Sequence, residues 1–189
     1  MQRRGILTGA LLAAWAAAAQ TAAQPVSEAR PDAPPELRGE LQAARLQGSG
    51  RLRFIGLRIY DAQLWVGEQS LTADWAATPF ALSLIYAREL KSEPMAERSL
   101  SEMKRQGDIA SETAQRWLTL MKQLLPDVKA GDRITGVNLP TRGVRFFVNG
   151  TLRSETPDAE FARKFFGIWL SPRTSEPALR EALLGRAAQ

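Results

Sequence analysis

The sequence contains no cysteine and no histidine. The first absence rules out disulfides, thiolate chemistry and a lipid-modified cysteine anchor, so the fold must be held by packing alone. The second removes the usual general base at neutral pH, the Ser-His-Asp and Cys-His arrangements, and every metal site ligated by histidine or cysteine. Carboxylates, lysine, arginine, backbone groups and only two tyrosines are left for chemistry. Charge of one sign is also modest: 25 basic against 20 acidic residues give +5. The basic residues are scattered rather than interleaved with aromatics, which argues against a nucleic-acid partner. Asp127 and Asp132 flank a Lys-Ala-Gly turn with too few oxygen ligands for a Ca²⁺ loop, so they read as turn residues and no metal is expected. Gly48-Ser-Gly50 does not continue as a dinucleotide fingerprint. Arg53 stands where the third glycine should be and no helix follows, so no cofactor is expected.

What is present begins with an export signal. Arg3 and Arg4 precede an apolar run from Ile6 to Ala19, too short to span a bilayer comfortably, and small residues before Gln complete the pattern. Residues 1–23 are therefore expected to be a signal peptide, with a retained anchor as the alternative. Gln2 and Gly5 fit the twin-arginine pattern poorly, so the Sec route and a periplasmic location are expected. The remaining chain would carry +3 once Arg3 and Arg4 are lost, and would have no stable membrane span. Residues 24–40, with four prolines and little apolar content, read as a flexible lead-in. Residues 41–186 are long enough for one domain with its own core.

The pattern within that domain is α+β. Leu41 to Gln47 is a short strand or turn, and Arg51 to Val66 is a β-rich run with a turn or bulge at Gly56. Phe80 to Leu90 alternates as a strand, with Phe80, Leu82, Leu84 and Tyr86 on one face and Arg88 continuing that parity. Ser92 should cap a helix that stops at Gly107. Ser111 should cap a second, on which Ala114, Trp117, Met121 and Leu124 make an apolar stripe ended by Pro126. Asn149-Gly150 between Val144–Val148 and Thr151–Glu155 marks a hairpin, because a type I′ turn needs positive φ at both central residues. Thr156-Pro157-Asp158 reads as N-cap, N1 and first-turn acid of a third helix, whose face of Phe161, Phe165 and Ile168 or Trp169 must bury against a sheet. A last helix is expected from Ser175 to Leu184, closed by Gly185.

Five segments carry a family resemblance: Gly48-Ser-Gly-Arg-Leu-Arg53, Ile59-Tyr-Asp-Ala-Gln-Leu-Trp65, Pro126-Asp-Val-Lys-Ala-Gly-Asp132, Phe147-Val-Asn-Gly150 and Phe166-Gly-Ile-Trp-Leu170. In that order, from about Leu46 to Gly185, the chain resembles a bacterial chalcone-isomerase-like protein. The resemblance implies an open-faced β-sandwich, a large antiparallel sheet covered by helices. The family includes isomerases and fatty-acid-binding proteins, so fold alone does not assign a function. In those branches an arginine two residues after Gly-x-Gly points into the ligand cleft. Here that position is Leu52, with Arg51 and Arg53 on either side, so either a bulge restores an arginine or the cleft has lost its charge. Tyr60 stands at the first tyrosine of the fatty-acid-binding pattern, and the isomerase's second tyrosine falls at about Met95. The expected function is an exported, non-catalytic domain binding a fatty acid or similar acidic amphipathic molecule. Tyr60, Arg88 and Arg51 or Arg53 would hold the carboxylate. The alternatives are an isomerase-type intramolecular lyase and an envelope interaction protein without a small ligand.

Overall fold

The computed structural model describes residues 31–72 and 74–186. The expected signal peptide, and the first part of the expected lead-in, lie outside the described residues. Six strands form one sheet in sequence order: β1 (Arg45–Phe54), β2 (Leu57–Val66), β3 (Phe80–Tyr86), β4 (Arg133–Leu139), β5 (Gly143–Val148) and β6 (Thr151–Thr156). Every neighbouring pair is antiparallel. Two hairpins turn on two residues with positive φ, Ile55-Gly56 and Asn149-Gly150. That left-handed pair matches the twist of the strands it joins.

Helices α1 (Ser92–Lys104) and α2 (Ser111–Leu124) fill the connection from β3 to β4, and α3 (Ala159–Leu170) and α4 (Pro177–Leu183) follow the sheet. The expected caps sit one or two residues off. Asp158, not Thr156, caps α3: its carboxylate accepts from the Phe161 N–H and also from the Trp117 indole, both at 2.9 Å. Ser92 is the first residue of α1, and its N–H is satisfied by the Asp127 carboxylate at 2.9 Å. Ser111 likewise opens α2 from inside the helix.

Strand alternation sends Ala62, Leu64 and Val66 of β2 and Phe80, Leu82, Leu84 and Tyr86 of β3 to the helical face. There they meet Trp117 and Met121 of α2 and the aromatic face of α3, where Phe161, Phe165, Phe166 and Trp169 contact one another edge-on or stacked. Trp65, Ala81, Val137 and Phe147 point to the other face. That face is also covered in part, and from Pro35 on this corrects the flexible lead-in expected over 24–40. Pro35–Gly39 forms a 3₁₀ turn that buries Leu37 completely and, with Leu41, lies on Trp65 and Phe147. Its Glu36 carboxylate is wholly buried and takes a two-pronged contact from Arg133, at 2.9 and 3.1 Å. Leu41 to Ala44 is a turn, and β1 begins at Arg45, earlier than the Arg51 start of the run read from sequence.

The Gly-Ser-Gly segment serves packing. A Cβ on Gly48 would come within 2.2 Å of the Ala182 carbonyl oxygen, and one on Gly50 within 2.6 Å of Leu179. Glycine here lets α4 lie directly on β1.

Candidate functional site

A cavity of about 450 Å³ lies between the sheet and helices α1 and α3. Its floor is Tyr60, Leu82, Leu84, Tyr86, Ile134 and Phe146, and its roof includes Met95, Phe165 and Trp169. Gly136 on β4 belongs to the floor, and the Phe166 ring stands 3.2 Å from where its Cβ would be. The walls are thus almost wholly apolar, with a few polar groups converging at one end. That pairing characterises small-molecule sites.

Tyr60 is the polar centre. On β2 it stands opposite Leu52 of β1 and Tyr86 of β3, and the two tyrosine rings meet edge-on at 5.9 Å. The Trp169 indole N–H donates to the Tyr60 hydroxyl at 2.9 Å. An indole only donates, so Tyr60 accepts there and keeps its own proton for a further acceptor. Burial raises the pKa of both tyrosines well above the ordinary value; for Tyr60 the Trp169 hydrogen bond pulls partly back. Tyr60 is therefore a neutral donor over the physiological range.

The other polar lining groups come from α1 and the approach to α4. Arg98, Ser99, Glu102 and Glu176 line the same cavity. Arg98 donates to Glu102 at 2.7 Å, its own side chain 64% exposed and that of Glu102 7%. The second Glu102 oxygen has the Arg105 guanidinium at 3.5 Å and no hydrogen bond. Phe54, Lys91, Pro94, Arg98 and Glu176 are lining residues that are also exposed, and they mark the mouth.

Of the four residues expected from sequence, the structure brings one to the cavity. Arg51 points away and binds Asp61 at 2.7 Å. Arg53 is exposed near the hairpin turn and donates to the Gly56 carbonyl at 3.3 Å. Arg88 lies beyond the end of β3, which stops at Tyr86, and is exposed. A bulge does fall between Leu52 and Arg53, but its extra residue is on β2, so it turns neither arginine inward. Leu52 pairs with Tyr60 and Arg53 with Arg58, leaving Ile59 as the extra residue of β2, and both Ile59 and Tyr60 line the cavity. Leu52 lines it too, so this wall carries leucine where the resemblance places arginine, and Met95 fills the place of the second tyrosine. Sequence reasoning missed Arg98, because an Arg-Glu pair four apart reads as an ordinary solvated helix face. The helical spacing places Trp169 in the core, and nothing in the sequence announces that its indole meets a hydroxyl 109 residues away.

A family model described as chalcone isomerase-like matches residues 32–185. The chain belongs to the chalcone isomerase-like family. A relative in Haemophilus influenzae, an uncharacterized protein, is 32% identical over 112 residues, which are 57% of this chain and 52% of that protein. The chain thus spans about half the length of the curated relative it matches. The crystal structure of an Arabidopsis thaliana fatty-acid binding protein superimposes with a TM-score of 0.58 at 13% identity, covering 77% of this chain and 88% of that one. At that identity the likeness is one of fold, and it agrees with the open antiparallel sheet covered by helices. Among the described residues, no helix is long and apolar enough to cross a membrane, and no group of acidic residues is placed to hold a metal ion.

Proposed function

We propose that this chalcone isomerase-like protein binds a small acidic amphipathic molecule, such as a fatty acid, without chemistry on it, and does so in the periplasm. The observation that carries the reading is the apolar cavity closing on one oriented donor, the Tyr60 hydroxyl. An alkyl chain would lie along Leu82, Leu84, Ile134 and Phe146, and its carboxylate would accept from Tyr60. Arg98 at the mouth supplies the nearby positive charge, shared with Glu102. Trp169 acts as a positioning residue, since its N–H fixes which way the hydroxyl proton points. The fatty-acid binding neighbour favours this ligand class, and the N-terminal Arg3-Arg4 and apolar run favour export.

The lining supports the non-catalytic part of this reading. An isomerase of this family's type must stabilise a phenolate against an enone, which calls for a cation and donors beside the reacting atoms. Leu52 and Met95 offer neither at the positions where the resemblance expects them. The test uses protein purified from its host, native mass spectrometry, and displacement of a fluorescent fatty acid. A co-purifying lipid is expected, with affinity lowered about tenfold by Tyr60→Phe, the scale of one hydrogen bond to a charged acceptor. Met95→Trp should abolish binding by filling the roof. Wild-type affinity in both variants would sink the reading. Loss of enone absorbance from a chalcone, abolished by Tyr60→Phe, would replace it with the intramolecular lyase.

A further inference from the structure

The β1–β2 hairpin ends in a cluster of apolar side chains that the fold does not use. Phe54 is 60% exposed, Ile55 84% and Leu57 53%. The tip also stands clear of the sheet: the ladder between β2 and β3 ends at Tyr60–Tyr86, so Leu57 and Arg58 have no ladder partner on β3.

Ile55 breaks a local rule twice. It sits at φ 49°, in the left-handed region that a β-branched residue adopts only under strain. It also presents nearly its whole side chain to water. The same molecule shows the unstrained solution: the β5–β6 hairpin makes a turn of the same kind with Asn149 at φ 49° ahead of Gly150. An isoleucine that costs backbone strain and solvation, with no packing in return, points to something outside the chain that takes its side chain.

The surroundings say what that is. Arg51, Arg53, Arg58, Arg88 and Lys91 lie on or beside the hairpin base, against Asp61, Glu89 and Asp127. The Ala87 N–H donates to the Ile59 carbonyl, which places Arg88 next to the hairpin arm. Among the described residues Arg53 and Arg88 form no ion pair. Apolar side chains at a tip with excess positive charge behind them suit an anionic bilayer surface, where the tip enters the acyl boundary and the guanidiniums meet headgroups. Phe54 belongs to both the tip and the cavity mouth.

We propose that the β1–β2 hairpin docks the protein on an anionic lipid surface, turning the cavity mouth toward the membrane. The docking stands whether or not the cavity takes a fatty acid. The decisive variant is Ile55→Asn, because it should move two readouts in opposite directions. Asparagine suits positive φ, so melting temperature should rise. Co-sedimentation of the full chain with phosphatidylglycerol/phosphatidylcholine vesicles should fall about tenfold. Arg53→Gln should weaken it about fivefold, the scale of one arginine at an anionic surface, and high salt should weaken the wild type. Residues before the hairpin are identical in all these proteins, so the difference reads the tip. Equal sedimentation of wild type and Ile55→Asn overturns the proposal. So does a lipid-free dimer that Ile55→Asn dissociates, which would make a second copy the occupant. Fatty-acid displacement in lipid-free solution should be unchanged by Ile55→Asn, which separates this proposal from the binding reading.

Discussion

Tyr60 and Tyr86 are the whole tyrosine complement of the chain, and both stand in the cavity floor. Any tyrosinate signal therefore reports this site alone. A free phenol is half ionised near pH 10, and burial holds both hydroxyls neutral beyond that point. An absorbance titration of the folded protein should show no tyrosinate at pH 10, whereas the protein in denaturant should show both. The linkage has a definite sign. The folded-state pKa lies above the unfolded one, so the contribution to stability is complete below about pH 10 and is lost as pH rises through the folded value. Ordinary ionisation in the native protein would mean that the floor is open to water. Tyr60 was legible because it stands at the first tyrosine of the fatty-acid-binding pattern that the chain resembles. The arginines were not, because Arg51 and Arg53 sit one residue either side of the cavity parity, and only the register settles which side faces in.

At the level of elements, the sequence pattern is most informative where chemistry is local. Asn149-Gly150, the aromatic spacing of α3 and the stripe on α2 each dictated their element. The starts of α1 and α3 shifted by a residue or two because acidic side chains satisfy their first N–H groups, Asp158 at α3 and, from 35 residues away, Asp127 at α1, whereas no side chain caps α2. β4 carried no alternation to read. Both its faces are covered, and Ile134 to Asn138 are all buried. Contact between α4 and β1 was equally hidden, since nothing in Gly48-Ser-Gly50 announces a helix that comes more than a hundred residues later. Its prediction is sharp. Gly48→Ala places a methyl within van der Waals overlap of the Ala182 and Leu183 carbonyl oxygens, so α4 must lift from β1. We expect a loss of about 1–3 kcal/mol, the usual scale of overpacking, with faster amide exchange confined to α4. Gly56→Ala has no neighbour within 4 Å and should cost only the strain of its positive φ.

Taken whole, the molecule is a sheet with unequal faces: helices and a cavity on one side, a short proline-rich turn on the other. That second cover was illegible from sequence because four prolines and few apolar residues describe a linker. What holds it is Leu37 with Leu41 and two ion pairs, Glu36 with Arg133 and, just after the turn, Glu40 with Arg145. Glu36 is buried, and it accepts from Arg133 and from the Thr135 hydroxyl. Thr135 in turn shares a hydrogen bond with Ser83, beneath the turn. Removing one partner leaves the other charge in a dry site, whereas replacing both with apolar side chains is close to neutral. Arg133→Met should therefore destabilise the protein by about 3 kcal/mol in urea unfolding, because Glu36 has no second cation within reach among the described residues. Glu36→Leu combined with Arg133→Met should recover most of that loss. Fatty-acid displacement should be unchanged in the double variant, since the pair lies on the face away from the cavity. A double variant as unstable as Arg133→Met alone would show that the pair does more than neutralise itself. The turn would then be held by its polar network with Thr135 and Ser83, and the covered face would owe little to Leu37.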